Sequence, residues 1–148
     1  MEKKDCVFCD AERRELPTGI KVCELDYSRL YLFREQKFNP GRCLLASKSH
    51  VAEVYQLPQT EREGFLAELF AVARTLEKLY APDKMNFLSL GDTIGHIHIH
   101  LVPKRREDPD WGGMFRFMAK EGYLSEAEYA AENEKIFTAL REAGLPAR

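Results

Sequence analysis

The sequence has no long hydrophobic run, and none of its apolar stretches approaches the ~18 residues that a helix needs to cross a bilayer. Its first five residues, Met1 to Asp5, are mostly charged and contain no apolar segment of the kind found in signal peptides. We therefore expect a cytoplasmic protein that makes no use of a membrane.

A surplus of positive charge is also missing. The chain carries 22 Lys and Arg residues against 24 Asp and Glu residues, which gives a formal net charge of −2. Proteins that bind nucleic acid through its phosphates need a basic surplus, so a general nucleic-acid-binding role is disfavoured. The length of 148 residues, with 45% hydrophobic and 31% charged residues, predicts one globular domain over residues 1–148.

Cysteine is scarce, with four residues in the whole chain. In a reducing compartment disulfides are not expected, which leaves metal binding, redox chemistry or burial as explanations. Cys6 and Cys9 form a Cys-x-x-Cys pair whose purpose the spacing alone leaves open. Cys23 and Cys43 stand alone and are expected in the core, because free cysteine is among the most buried residue types.

The hydrophobic pattern predicts an α+β fold. Strands are indicated by β-rich or alternating runs over residues 20–25, 29–33, 43–46, 85–90 and 96–102. Between them, apolar residues at steps of 4, 3, 4 and 3 from Phe65 to Leu79 predict a long amphipathic helix that ends at Ala81-Pro82. A second helix is predicted to end at Gly144. A strand meander with one long internal helix and one terminal helix is typical of α+β proteins.

Capping signals and a proline give the expected ends of these elements. The capping-box spacing occurs twice, from Thr60 to Glu63 and from Ser125 to Glu128, and predicts where the two helices begin. Pro103 is expected to end the last strand, because proline cannot donate a hydrogen bond to a sheet.

Three of the four histidines alternate along the last strand. Side chains at every second position share one face of a strand, so His96, His98 and His100 are expected to project together, about 6.6 Å apart in succession. Ile97 and Ile99 would then anchor the opposite face. Two chemistries fit such a row: His-x-His can supply metal ligands, or one imidazole can act as a nucleophile that its neighbours assist.

The turn before this strand holds Gly91, Thr93 and Gly95. Glycines allow close backbone approach, and a turn that presents N–H groups beside a hydroxyl could bind phosphate. An ordinary β-turn explains the same residues equally well.

Residues 96–102, His-Ile-His-Ile-His-Leu-Val, resemble the signature of the histidine triad (HIT) superfamily of nucleotide hydrolases and transferases. The resemblance extends over about residues 6–104 and includes Asn39-Pro40-Gly41 and Lys48-Ser49-His50. It implies a HIT-like fold, which is an antiparallel meander sheet with one long internal helix and a C-terminal helix. The C-terminal helix belongs to an extension of the core that covers residues 105–148. Asp108-Pro109-Asp110-Trp111 and the terminal helix resemble the bacterial and archaeal branch similar to diadenosine polyphosphate hydrolases.

In this family the middle histidine is the nucleophile. The resemblance implies that His98 attacks the α-phosphorus of a dinucleoside polyphosphate or nucleoside phosphoramidate, and that water releases a nucleoside monophosphate. His100, with His96 beside it, would complete the catalytic set by contacting phosphate or leaving group, and Thr93 would bind phosphate. A phosphorylase, a nucleotidyltransferase and a nucleotide-binding interaction module with little turnover remain alternatives, and a requirement for Mg²⁺ stays open.

Two positions depart from the family pattern. Arg42 replaces a histidine that many members carry, and Arg34 or Glu35 falls where many carry an Asp or Asn that grips the ribose. An arginine cannot accept hydrogen bonds from the ribose hydroxyls, so we expect Glu35 or Gln36 to bind the ribose instead. Alternatively, Arg34 binds phosphate. The candidate substrate-binding residues are therefore Thr93, Asn39, Gln36 and Asn86.

Zinc is the cofactor that the resemblance implies. Zinc-containing members use the Cys-x-x-Cys pair, the histidine of Lys-Ser-His and the first histidine of the triad, which here are Cys6, Cys9, His50 and His96. Four protein ligands would make the site structural; a pair of reduced cysteines is the alternative. The resemblance further implies a homodimer and an adenine-containing nucleotide substrate.

Overall fold

The computed structural model describes residues 5–117 and 119–148, and its strands form a six-stranded antiparallel sheet. The elements along the chain are β1 (Glu15–Leu16), β2 (Gly19–Glu24), β3 (Ser28–Phe33), β4 (Cys43–Ser47), α1 (Gln59–Tyr80), β5 (Lys84–Leu88), β6 (His98–Lys104) and α2 (Glu126–Glu142). The strand order across the sheet is β1-β2-β3-β4-β6-β5. The expected fold class, with its long internal helix and its C-terminal helix, is confirmed.

No helix within the described ranges is long and apolar enough to cross a membrane. The first four residues, which carry most of the argument against a signal peptide, lie outside the described part of the chain.

Both helices cover the same face of the sheet. The inward sides of α1 and α2 pack on alternate residues of the strands. These residues include Leu101 of the histidine strand, and Ile97, just before that strand, packs there too. Cys23 and Cys43 are buried in this core, as predicted. The helices contribute Phe65, Leu69, Val72, Leu76, Tyr129, Ile136 and Leu140 to it.

The opposite face carries the histidines, and chain segments without regular structure cover it. A smaller apolar cluster there joins Cys6 and Phe8 of the N-terminal segment to Tyr31, Phe33 and Leu44 of the sheet. All three triad histidines are buried beneath this cover. Their face is therefore a second interior rather than a solvated surface.

The histidine strand β6 is displaced toward the C-terminus from its predicted position. It begins at His98, because the backbone N–H groups of His96 and Ile97 donate to the Ile94 and Val51 carbonyls instead of to a neighbouring strand. The prediction that Pro103 ends the strand is wrong. Among the described strands, Pro103 is paired with β5 alone, because the register with β4 ends at Leu101, so the proline lies where one side of the strand is open.

The two capping-box predictions have opposite outcomes. At α2, the Ser125 hydroxyl accepts from the Glu128 backbone N–H and the Glu128 carboxylate accepts in return, as predicted. At α1 the prediction is wrong: the helix begins at Gln59 after Pro58, with no side-chain cap. Because the helix begins at Gln59, Thr60 lies inside its first turn, and Glu63 accepts a hydrogen bond from the side-chain amide of Gln59 instead.

Candidate active site

His98 and His100 line a cavity of about 310 Å³ on the face of the sheet opposite the helices. Thr93 and Asp92, from the loop before the strand, lie on its rim, and aromatic rings form its walls. The structure thus brings three predicted site residues, His98, His100 and Thr93, to one cavity of a size that small-molecule sites have.

A backbone hydrogen bond fixes the tautomer of His98. Its Nδ1 lies 2.7 Å from the carbonyl oxygen of His96, and a carbonyl can only accept, so Nδ1 carries the proton. Nε2 is therefore the nitrogen with a free lone pair. Burial lowers the pKa of His98, which keeps the ring neutral near pH 7. A neutral imidazole with one directed lone pair is equipped to attack an electrophile.

His100 lies among aromatic rings. Its ring centroid is 5.7 Å from that of His98 and 5.4 to 5.5 Å from those of Phe33 and Phe117, and these three residues also line the cavity. Burial, reinforced by the nearby Arg42 cation, lowers the pKa of His100 to about 3. This imidazole is therefore neutral throughout the physiological range.

The third histidine belongs to a different cluster. His96 Nδ1 lies 3.3 Å from Cys6 Sγ, 3.6 Å from Cys9 Sγ and 3.2 Å from His50 Nδ1. All four potential ligand atoms lie within 4.8 Å of one another, so the four predicted ligands converge on one point that could hold a metal ion. Two sulfur and two nitrogen donors, all from protein, match a closed tetrahedral site.

Local hydrogen bonds arrange this cluster. His96 Nε2 lies 2.8 Å from the Ser47 carbonyl oxygen, which places the proton on Nε2 and leaves Nδ1 free toward the sulfurs. The Cys9 backbone N–H donates to the Cys6 carbonyl in a tight turn. Between them, Phe8 packs its ring 5.0 Å from that of His98, so the segment carrying two of these ligands also forms a wall of the cavity.

Two predicted substrate-binding residues, Asn39 and Gln36, do not line this cavity. The Gln36 amide is engaged with the backbone of its own turn, donating to the Phe33 and Arg42 carbonyls and accepting from the Gly41 N–H. Asn39 Nδ2 donates to two carboxylates of the C-terminal extension. Both side chains shape the turn between β3 and β4.

Asn86 and the ribose candidates also lie elsewhere. Asn86 borders a separate cleft with Lys104 and Trp111. Arg34 pairs with Glu15 at 3.2 Å, and Glu35 is fully buried beside Arg42. Neither Arg34 nor Glu35 lines the cavity that holds His98.

The aromatic walls, Phe8, Phe33 and Phe117, were not among the predicted site residues. Phe8 had a usable signal, since it lies between the two cysteines of the Cys-x-x-Cys pair. Phe33 lies at the end of β3, where only the register of the sheet places it beside the histidines. Phe117 belongs to a stretch of the extension with no periodic pattern that would predict a wall.

Two curated proteins resemble this chain in sequence. Adenosine 5'-monophosphoramidase HNT1 of Saccharomyces cerevisiae is 32% identical over 108 residues, 69% of this chain and 64% of the yeast protein. Adenylylsulfatase HINT3 of Arabidopsis thaliana is 26% identical over 114 residues, 74% of this chain and 57% of the plant protein. The chain thus spans about three-fifths of the length of these curated relatives, both named as enzymes.

Solved structures share the fold. A histidine triad protein from Sinorhizobium meliloti superposes with a TM-score of 0.73 at 22% identity, covering 82% of this chain and 90% of that one. A Zn-bound histidine triad family protein from Mycobacterium smegmatis gives a TM-score of 0.66 at 24% identity, covering 97% and 98%. A family model described as the HIT domain matches residues 18–107, from β2 through the whole triad. The chain belongs to the HIT domain family.

Proposed function

We propose that this protein is a nucleotide hydrolase that cleaves at the α-phosphate through a nucleotidyl intermediate on His98. The observation that carries the proposal is the hydrogen bond from His98 Nδ1 to the His96 carbonyl, at the edge of a cavity of ligand size. It leaves Nε2 with its lone pair in a buried, neutral ring, which is the state a nucleophilic histidine needs.

The reaction takes place in two displacements. In the first, the His98 Nε2 lone pair forms a bond to phosphorus, and the bond to the leaving group breaks with its electron pair. The ring becomes cationic, and the His96 carbonyl stabilises it by accepting from Nδ1–H. In the second, the oxygen of water forms a bond to phosphorus, and the Nε2–P bond breaks with its electron pair returning to Nε2. The water proton passes to solvent, the nucleoside monophosphate departs and His98 is neutral again. His100 and Thr93 line the same cavity as His98, which supports a role for both in binding phosphate oxygens.

The substrate class is supported by the names of the relatives, a monophosphoramidase and an adenylylsulfatase. We propose adenine nucleotides, as a phosphoramidate, a mixed anhydride or a diadenosine polyphosphate. A panel of these donors, each assayed for AMP release, separates the preferences within the family.

The test is the replacement His98→Ala. We expect kcat/KM for AMP release to fall by about 10⁴-fold or more, because a covalent step has no substitute nucleophile. Rapidly quenched native protein should carry the mass of one nucleotidyl group, which His98→Ala should lack. Tyr55→Ala, at an exposed position outside the cavity, is the control and should retain full activity.

Three outcomes would contradict the proposed hydrolase. Turnover retained in His98→Ala would contradict the nucleophile, and AMP binding without turnover in the native protein would favour an interaction module. If inorganic phosphate or another acceptor replaces water in the product, the protein is a phosphorylase or nucleotidyltransferase.

We further propose that Cys6, Cys9, His50 and His96 hold a structural zinc ion. Thiolate and imidazole donors in a compact group suit zinc, and the Mycobacterium smegmatis neighbour is described as Zn-bound. Bound zinc would supply a cross-link between the N-terminal segment and the histidine strand. Metal analysis of the purified protein should give one zinc per chain, and folded metal-free protein would contradict the site.

A homodimer is the proposed assembly. β5 lies at an edge of the sheet, and Phe87 on it forms an edge-to-face pair with Phe70 of α1, with both rings about half exposed. An open strand edge beside exposed aromatic rings favours association with a second copy. Sedimentation should give a dimer for the native protein and a monomer for Phe70→Glu; a native monomer would contradict the proposal.

A further inference from the structure

Arg42 is a fully buried cation on the histidine face of the sheet. Its guanidinium carbon lies 3.8 Å from the ring centroid of Phe33 and 4.2 Å from that of Phe115, so the planar cation is held between two aromatic rings. A third ring, Phe117, is 5.0 Å away. Burial lowers the pKa of Arg42 to about 10, which still leaves it charged at neutral pH.

The partners of Arg42 connect the sheet to the C-terminal extension. Nη1 donates to the Arg116 carbonyl at 2.6 Å and lies 3.6 Å from the carboxylate of Glu35, which is also fully buried. The other carboxylate oxygen of Glu35 accepts from the Ala119 backbone N–H at 2.5 Å. The pair therefore holds the extension at two points, on either side of Phe117.

Such a pair is costly to bury. Within the described ranges, Arg42 Nε and Nη2 and Glu35 Oε2 have no hydrogen-bond partner, and buried ion pairs of this kind contribute little net stability. Replacing a buried ion pair by apolar side chains of similar volume is often neutral for stability. Stability alone therefore gives no reason for a charged pair here.

The rings around Arg42 are the same rings that surround His100. Centroids of Phe33, Phe115 and Phe117 lie 5.4, 5.7 and 5.5 Å from the His100 ring. Phe33 and Phe117 also line the cavity, and Phe117 keeps 43% of its surface exposed. Arg42 thus lies behind the cavity wall, with Phe117 and His100 in front of it.

We propose that Arg42 and Glu35 are positioning residues that hold the extension over His100, so that Phe117 forms a substrate-contacting wall of the cavity. This inference rests on the proposed function, since the wall belongs to the cavity in which His98 acts. It assigns a role in substrate binding to the C-terminal extension, beyond the residues that the family model matches.

A double-mutant cycle tests whether the pair acts through Phe117. The pair variant Arg42→Met/Glu35→Gln removes both charges with little change in volume. In the native background it should lower kcat/KM for AMP phosphoramidate by about tenfold or more, chiefly by raising KM, because a displaced wall weakens binding. In a Phe117→Ala background the same change should cost less than about twofold, because the wall is already gone.

A stability-matched control separates this role from general weakening of the fold. Glu68 is buried on the helix face, where it accepts from the Tyr27 backbone N–H and the Ser28 hydroxyl. Glu68→Gln should destabilise the protein and leave KM unchanged. Additive effects of the pair variant and Phe117→Ala, or an equal rise of KM in Glu68→Gln, would overturn the proposal.

Hydrogen exchange gives a readout that needs no turnover. Amide exchange in a peptide covering residues 113–121 should be at least about tenfold faster in the pair variant than in native protein, and unchanged in Glu68→Gln. Unchanged exchange in the pair variant overturns the anchoring. A native protein without turnover contradicts the hydrolase instead, and the cycle is then measured on the dissociation constant of AMP by calorimetry.

Discussion

The two ends of the histidine row hold their imidazoles by different means. At one end, His96 meets Cys6, Cys9 and His50 in a cluster of metal-type donors, with its proton held by the Ser47 carbonyl. At the other end, His100 is surrounded by three phenylalanine rings with a buried arginine behind them. His98 lies between the two, and among the described contacts its ring is hydrogen-bonded to a backbone carbonyl alone.

Burial on one face of the sheet keeps three neighbouring imidazoles neutral. Burial lowers the pKa of His96 to about 4 and that of His100 to about 3, in the second case with help from a cation. The ring between them has one defined tautomer, because its Nδ1 donates to the His96 carbonyl. Four predictions, from the largest expected effect to the smallest, test this division.

Removal of the metal should have the largest effect. Chelation, or Cys6→Ser, should lower the free energy of unfolding by about 4 kcal/mol or more at free zinc a thousandfold above its dissociation constant, because the ion binds only the folded chain. Chemical denaturation with and without zinc measures this loss. An equal free energy of unfolding with and without zinc would contradict a metal-stabilised cluster at the His96 end.

Breaking the charged pair at the other end should come next. Glu35→Ala leaves the Arg42 cation buried without a counter-ion and should cost about 3 kcal/mol of unfolding free energy. Replacing both residues by methionine should restore most of that loss, because the buried cation is gone. A double variant no more stable than Glu35→Ala would contradict the account of this end.

The pH dependence of stability should distinguish His100 from an ordinary histidine. Its folded pKa of about 3 lies below the usual 6.5, so the unfolded state takes up the proton first as the pH falls. The stability linked to this group is complete above pH 6.5 and is lost toward pH 3, with a slope of about 1.4 kcal/mol per pH unit. In His100→Asn, the plot of unfolding free energy against pH should lose this slope between pH 6 and pH 4. Parallel plots for the native protein and the variant would contradict the lowered pKa of His100.

The smallest effect should come from a region remote from both ends. Ser125→Ala removes a working capping box and should lower the unfolding free energy by about 1 kcal/mol without changing activity. Thr60→Ala, at the spacing that does not cap its helix, should cost less than about 0.5 kcal/mol. A loss of activity in Ser125→Ala would show that α2 influences the cavity.

At the first end of the row, the residue pattern predicts the strand, and the resemblance to the HIT superfamily predicts the metal ligands. Alternation of polar and apolar residues indicates the strand of His98 and His100, while the spacing of the cysteines alone leaves their purpose open. The four ligands that the resemblance implies lie together in the structure, although they are far apart in sequence. The start of β6 was misplaced by two residues because backbone hydrogen bonds to Val51 and Ile94, which follow no side-chain pattern, decided it.

The second end could not be predicted in this way. Glu35, Arg42 and Phe117 are far apart in sequence or lie in an aperiodic stretch, and only tertiary packing brings them together. Asn39 and Gln36 are polar residues beside a Gly-containing turn, so a binding role fitted their chemistry. Gln36 is instead hydrogen-bonded to the backbone, and Asn39 to the C-terminal extension. The residue types alone do not predict these partners.

The extension starts immediately where β6 ends, and Lys104, the last residue of that strand, donates to the carbonyls of Asp110 and Gly113. A chain shortened to the 107 residues at which the shared domain stops would therefore keep every histidine and lose a side of the chamber around them. The C-terminal extension thus shapes the cavity without adding a histidine to it.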